Sequence, residues 1–193
     1  MNIKPLMLSA LVSLSMTYSV TAISSDTPPV MDAALSEVTV SWEDSPDIVG
    51  ALYGNDNKEI GFVILKQGTE GVLIRIQVKG LTPGKHGMHF HRVGDCSDHK
   101  HFKKAGAHVD PHGKPHGFLN PNGPHEGNLP NLIVHADGTA DVELYSQMVS
   151  LKDGESALLD EDGSTLIIHT NTDDHTSQPI GGAGARVACA VVR

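Results

Sequence analysis

From about residue 36 to the C-terminus, apolar and polar side chains alternate in short runs. Val72, Ile74, Ile76 and Val78 interleave with Leu73, Arg75, Gln77 and Lys79. A repeat of two puts each set on its own face of an extended chain, the pattern of a half-buried strand. Val38 and Val40 with Trp42 suggest another strand, and residues 60–65, 85–92, 140–145, 165–169 and 186–192 complete a set of short ones. Turn signals separate them: Gly54-Asn55, Gly68 to Gly71, Thr82-Pro83-Gly84, Asp137-Gly138 and Asp162-Gly163. No segment carries a long amphipathic helical repeat. The expected class is all-β, an antiparallel sandwich or Greek-key barrel. Two stretches break the rhythm, the Gly/Pro/His-rich residues 94–131 and residues 170–185. Loops that long inside a compact domain are usually functional, so two functional loops are expected.

The N-terminus changes the picture of where this fold works. Lys4 precedes an uncharged, mostly apolar run from Leu6 to Val20, and Val20-Thr21-Ala22 offers the small residues that a signal peptidase reads. Residues 1–22 are read as an export signal, with a disordered or buried N-terminal helix as the alternative. Residues 23–35 are read as a flexible lead-in and 36–193 as one domain. Export implies an oxidising periplasmic or extracellular compartment, where Cys96 and Cys189 would favour joining over remaining buried thiols. The net charge is −9, with 23 acidic against 14 basic residues, which excludes nucleic acid and an anionic membrane surface as partners. No membrane association is expected after signal cleavage. Any anionic substrate must be met by local positive charge.

Histidine supplies the candidate chemistry. It crowds residues 86–125, beginning with His89-Phe90-His91 and continuing through His108, His116 and His125, while His169 ends an apolar run far downstream. Imidazole is a common ligand of zinc and copper. Two histidines two apart on a strand share a face and can grip one ion.

Four separated segments then carry a family resemblance: Gly87-Met88-His89-Phe90-His91, Ala105 to Pro111, Gly123 to Pro130, and Gly184-Ala185-Arg186-Val187-Ala188-Cys189. In this order they resemble copper–zinc superoxide dismutase across residues 36–193. The resemblance implies an immunoglobulin-like Greek-key sandwich or barrel. It implies copper at His89, His91, His108 and His169, zinc at His108, His116 and His125, and His108 as a bridge between them. Asp173 would link a copper histidine to a zinc histidine and fix their tautomers. Cys96 and Cys189 match the family's intrachain bridge. Arg186 matches its active-site arginine, a permanent cation suited to binding superoxide. The implied reaction converts two superoxide anions to dioxygen and hydrogen peroxide by alternate reduction and reoxidation of copper, with His108 moving a proton.

One position departs from the family. The aspartate expected as fourth zinc ligand is Asn128, a neutral and weaker donor. Zinc bound loosely, zinc completed by water, and no zinc at all remain open, so a copper-only dismutase competes with the two-metal enzyme. A non-catalytic copper and zinc store on the same scaffold is the other alternative. His86, His99, His101, His112, His135 and His175 match no family ligand. A homodimer is possible, but no apolar patch in the sequence identifies one.

Overall fold

The computed structural model describes residues Ile48–Arg193. The expected export signal over 1–22, the lead-in over 23–35 and the strand around Val38, Val40 and Trp42 lie outside the described residues. Among those described, no helix is long and apolar enough to cross a membrane.

Nine strands form in chain order: β1 Ile48–Gly54, β2 Glu59–Gln67, β3 Val72–Lys79, β4 Gly84–His86, β5 Met88–His91, β6 Leu132–Val134, β7 Thr139–Ser146, β8 Ser164–His169 and β9 Arg186–Val192. The only helical turn among the described residues is a 3-10 turn at Lys103–Ala105. Seven strands hydrogen-bond in the order β5-β8-β9-β1-β2-β3-β7, and β4 pairs with β6. All of these ladders are antiparallel. Chain neighbours β3 and β4 are not sheet neighbours, and the last two strands insert between β5 and β1. That is a Greek-key path. β6 also lies against β7, so the sheet curls towards closure.

The expected single strand over residues 85–92 is two strands, broken at Gly87. β4 bonds to β6 and β5 to β8, while Gly87 N–H donates to the Asn171 carbonyl and its own carbonyl accepts His169 N–H. Residues 170–185 pass directly over this point: a Cβ at Gly87 would lie 2.8 Å from the Ala183 Cβ and 3.1 Å from the Asp173 Cβ. A glycine there lets the second long loop sit on the sheet.

Period two then sorts the side chains. Met88 and Phe90 of β5, Leu166 and Ile168 of β8, and Ala188 and Ala190 of β9 enter one large core with Leu52, Ile74 and Ile76. Truncating a fully buried Ile74 to alanine would destabilise this core by about 2–5 kcal/mol. The alternate residues face outward, where Ile167 and Cys189 pack with Cys96, Phe102 and Ala105 beneath the first long loop. Both faces of this corner are therefore covered, and β5 and β8 are buried at every residue.

Candidate metal centre

His89 and His91 occupy the outward positions of β5, and His169 ends β8, where the β8–β9 register shifts between Ile168 and His169. All three rings are buried. His108 reaches the same spot from the first long loop, through an antiparallel bridge with His91. One ring nitrogen from each of His89, His91, His108 and His169 lies within 4.8 Å of the others.

The opposite ring nitrogens explain why these four are available. His89 Nε2 is 2.7 Å from Asp173 Oδ2, His91 Nδ1 is 2.9 Å from the Gly106 carbonyl, and His169 Nδ1 is 3.1 Å from the Gly184 carbonyl. Carboxylate and carbonyl oxygens only accept, so each of those nitrogens carries the proton. The lone pair is left on His89 Nδ1, His91 Nε2 and His169 Nε2. These three atoms and His108 Nε2 are buried with no hydrogen-bond partner. Buried polar atoms are nearly always paired, so four convergent orphans fit a cation.

Electrostatics agree. Burial, followed by the neighbouring imidazoles, pushes the His108 pKa far down. His91 is well below the usual value through burial and then the charge of Arg186. Burial and then His89 lower His169 to about 4. The rings are neutral at pH 7, as metal ligation requires.

A second cluster shares His108. One nitrogen from each of His108, His116 and His125 again falls within 4.8 Å, with the Nδ1 atoms of His108 and His125 3.0 Å apart. Asn128 is fully buried here, with Nδ2 3.3 Å from His116 Nδ1 and Oδ1 unpartnered. Neither nearby acid joins the group that the three imidazoles form. Glu126 is held by Lys114 at 2.7 Å and His112 at 2.9 Å, and Asp110 lies 3.8 Å from His125 on its Nε2 side.

Asp173 connects the clusters. It is buried, with Oδ2 on His89 Nε2 and Oδ1 3.0 Å from His116 Nε2. Burial alone would raise its pKa, but the bonds from His116 and His89 outweigh burial and hold the carboxyl well below its usual range.

Arg186 opens β9 and is half-buried. Its Nη1 donates to the Phe102 carbonyl, and its Nη2 donates to the Gly106 carbonyl at 2.6 Å, the same oxygen that His91 uses. Its pKa is lowered by burial and supported by Asp98, and the group stays a cation. Cys96 and Cys189 form a disulfide with a Cα–Cα distance of 5.9 Å, tying the first loop to β9.

Several supporting residues were not legible in the sequence. Asn131 and Gln178 bond the backbones of Asp173 and His116, and His86 Nδ1 lies 2.7 Å from the His169 carbonyl. Each reads as an ordinary loop or strand residue until the loops are folded. His99 and His101 stand outside both clusters.

A sequence profile described as copper/zinc superoxide dismutase matches residues 59–192. A Caulobacter vibrioides protein named superoxide dismutase [Cu-Zn] is 52% identical over 141 residues, 72% of this chain and 80% of that one. The crystal structure of a SOD-like protein from Bacillus subtilis aligns with a TM-score of 0.74 at 38% identity, covering 77% of this chain and all of that one. The Cu/Zn superoxide dismutase from Brucella abortus aligns with a TM-score of 0.62 at 30% identity, covering 76% of this chain and 99% of that one. Agreement in sequence, in fold and over most of each partner's length establishes that this chain belongs to the copper/zinc superoxide dismutase family.

Proposed function

We propose that this chain converts two superoxide anions and two protons to dioxygen and hydrogen peroxide at a copper held by His89, His91, His108 and His169. The observation that carries this reading is the convergence of four buried, unpartnered imidazole nitrogens. Copper, when bound there, supplies a one-electron couple between its two common oxidation states. Everything else is the work of the chain.

Asp173, Gly106 O and Gly184 O hold the protons of His89, His91 and His169 on the nitrogens facing away from the cluster, which keeps the ligand lone pairs free. Arg186 binds the anion. Its guanidinium is fixed by two carbonyls of the first loop, so it is organised before substrate arrives. His108 presents one nitrogen to each cluster; its Nε2 would ligate metal through its lone pair and, only when released from the metal, could take a proton from solvent and hand it to the peroxide product. Zinc would be held by His108, His116 and His125, with Asn128 as a neutral fourth donor.

A copper-only dismutase is the second reading, favoured by Asn128 in place of a carboxylate. We assign the catalytic domain to residues 36–193 and export to the periplasm or extracellular space. The disulfide supports an oxidising destination. Superoxide dismutation assayed before and after copper loading tests the enzyme against a metal store. Activity that appears with one copper per chain supports catalysis, and stoichiometric copper without activity contradicts it. Metal analysis of protein purified without added zinc separates the two dismutase readings.

A further inference from the structure

The two long loops grip each other through side-chain amides as well as through Asp173. Asn131, from the end of the first loop, donates Nδ2–H to the Asp173 carbonyl at 2.9 Å and accepts Asp173 N–H at Oδ1 at 2.8 Å. Gln178, from the second loop, returns the arrangement onto His116. Its Oε1 accepts His116 N–H at 2.9 Å, and its Nε2 donates to the His116 carbonyl at 2.9 Å. A carboxamide holds a donor and an acceptor in one plane, so each imitates a neighbouring strand. Together they fix the backbones of the two residues whose side chains meet in the His89–Asp173–His116 chain. The fit is close: a Cβ at Gly181 would fall 1.7 Å from Asp173 Oδ1 and 2.9 Å from His116 Nε2.

Asn128 completes the set. His116 gives its Nε2 proton to Asp173, so its Nδ1 is a lone pair. The Asn128 Nδ2–H lies 3.3 Å from that lone pair and satisfies it. An aspartate at this position has no proton to give, and its charge would face the lone pair. His116 is thus held at both ring nitrogens by protein groups alone. The same amide also serves a loaded site, because a half-turn about its last torsion presents the unpartnered Oδ1 instead.

We propose that Asn128, Asn131 and Gln178 are positioning residues that form a zinc-independent brace, keeping Asp173 on His89 and the copper ligands in their ligating tautomers when zinc is absent. The proposal rests on the assignment of copper to the four-imidazole cluster. The reason is mechanical. His89 Nδ1 is free for a metal only while Nε2 keeps its proton, and Asp173 enforces that at 2.7 Å. If zinc alone positioned His116, its loss would release His116 and the aspartate attached to it.

The test uses the full protein as wild type, Asn131→Ala/Gln178→Ala and Asn128→Asp, each loaded with copper alone and with copper plus zinc. Copper affinity is measured by chelator competition and geometry by the Cu(II) electron paramagnetic resonance spectrum. Wild type is expected to hold copper with the same affinity with and without zinc, and each variant spectrum is compared with wild type loaded in the same way, because zinc on His108 alters the copper-bound ring by itself. The double variant loaded with copper alone is expected to shift its parallel hyperfine splitting and lose about 10–100-fold in copper affinity. Zinc should restore both. Asn128→Asp, which leaves both backbone clamps intact, is expected to show the same zinc-reversible shift and keeps the test open should the double variant fail to fold. A wild-type copper affinity that falls by about tenfold or more when zinc is left out overturns the brace. So do variants that keep the wild-type copper-only spectrum, or a defect that zinc does not reverse. Wild type that takes up no stoichiometric copper with nitrogen hyperfine coupling overturns the copper assignment itself, and the brace with it.

Discussion

The two histidine clusters share His108 yet are built from different material. Three imidazoles of the four-membered cluster ride on β5 and β8, strands bonded to each other whose other face enters the core through Met88, Phe90 and Ile168. His116 and His125 stand on a long loop and are located by side-chain amides, by Asp173 and by each other. A ligand on a paired strand inherits the rigidity of the sheet, whereas a ligand on a loop needs partners of its own. The first cluster is thus preformed by the fold, and the second is assembled from contacts between loops.

The sharpest way to break this comparison is His169→Ala. It deletes a strand-borne ligand and should reduce copper retention and dismutation to the level of the metal-free protein. Stoichiometric copper after dialysis against a chelator would contradict the ligand set. Cys96→Ser comes next. The bridge spans a sequence separation of 93 and contributes about 4–5 kcal/mol on the chain-entropy model, a loss on the order of 10 °C in Tm. Because it anchors the first loop, it should also loosen metal retention at the loop-built cluster more than at the strand-built one. Equal retention at both, by metal analysis after chelator dialysis, would remove that distinction.

Acid should weaken the metal-free protein. The folded pKa of His169 is about 4, against about 6.5 in the unfolded chain, because burial and His89 disfavour its charge. Below pH 6.5 the unfolded chain therefore takes up a proton that the folded chain refuses, so stability is full above 6.5 and is lost as pH falls towards 4. His89, His91 and His108 shift in the same direction. The metal-free Tm should be level from pH 7 to 8 and fall steadily below 6.5, and a flat profile down to pH 4 would refute the burial of neutral imidazoles. Arg186→Ala is expected to lower kcat/KM by about 10–100-fold, with Arg186→Lys intermediate. The smallest effect concerns salt. Residues 171–184 contain no lysine, so steering depends on Arg186, and the modest fall in kcat/KM with ionic strength should vanish in Arg186→Ala. A steep fall that persists in that variant would show that other charges steer.

The strands were legible where alternation was uninterrupted, as in β3, and where an apolar run was bounded by turns, as in β2, β8 and β9. β1 was missed because Gly50 and Gly54 dilute the pattern, and β6 because Leu132–Val134 is too short to show a period. The break at Gly87 depends on a loop more than eighty residues downstream lying across it, which local sequence cannot encode. The clustered histidines, Asp173, Arg186 and both cysteines stood out because spacing and family resemblance mark residues of unusual chemistry. Asn131 and Gln178 did not, since a carboxamide in a polar loop looks like any turn residue until its backbone partner is known.

The most direct test of the central claim is diffraction from copper-loaded crystals at the copper absorption edge. One anomalous peak is predicted about 2 Å from His89 Nδ1, His91 Nε2 and His169 Nε2, on the side that His108 Nε2 faces. A copper peak at His99 and His101, or none among those nitrogens, would contradict it.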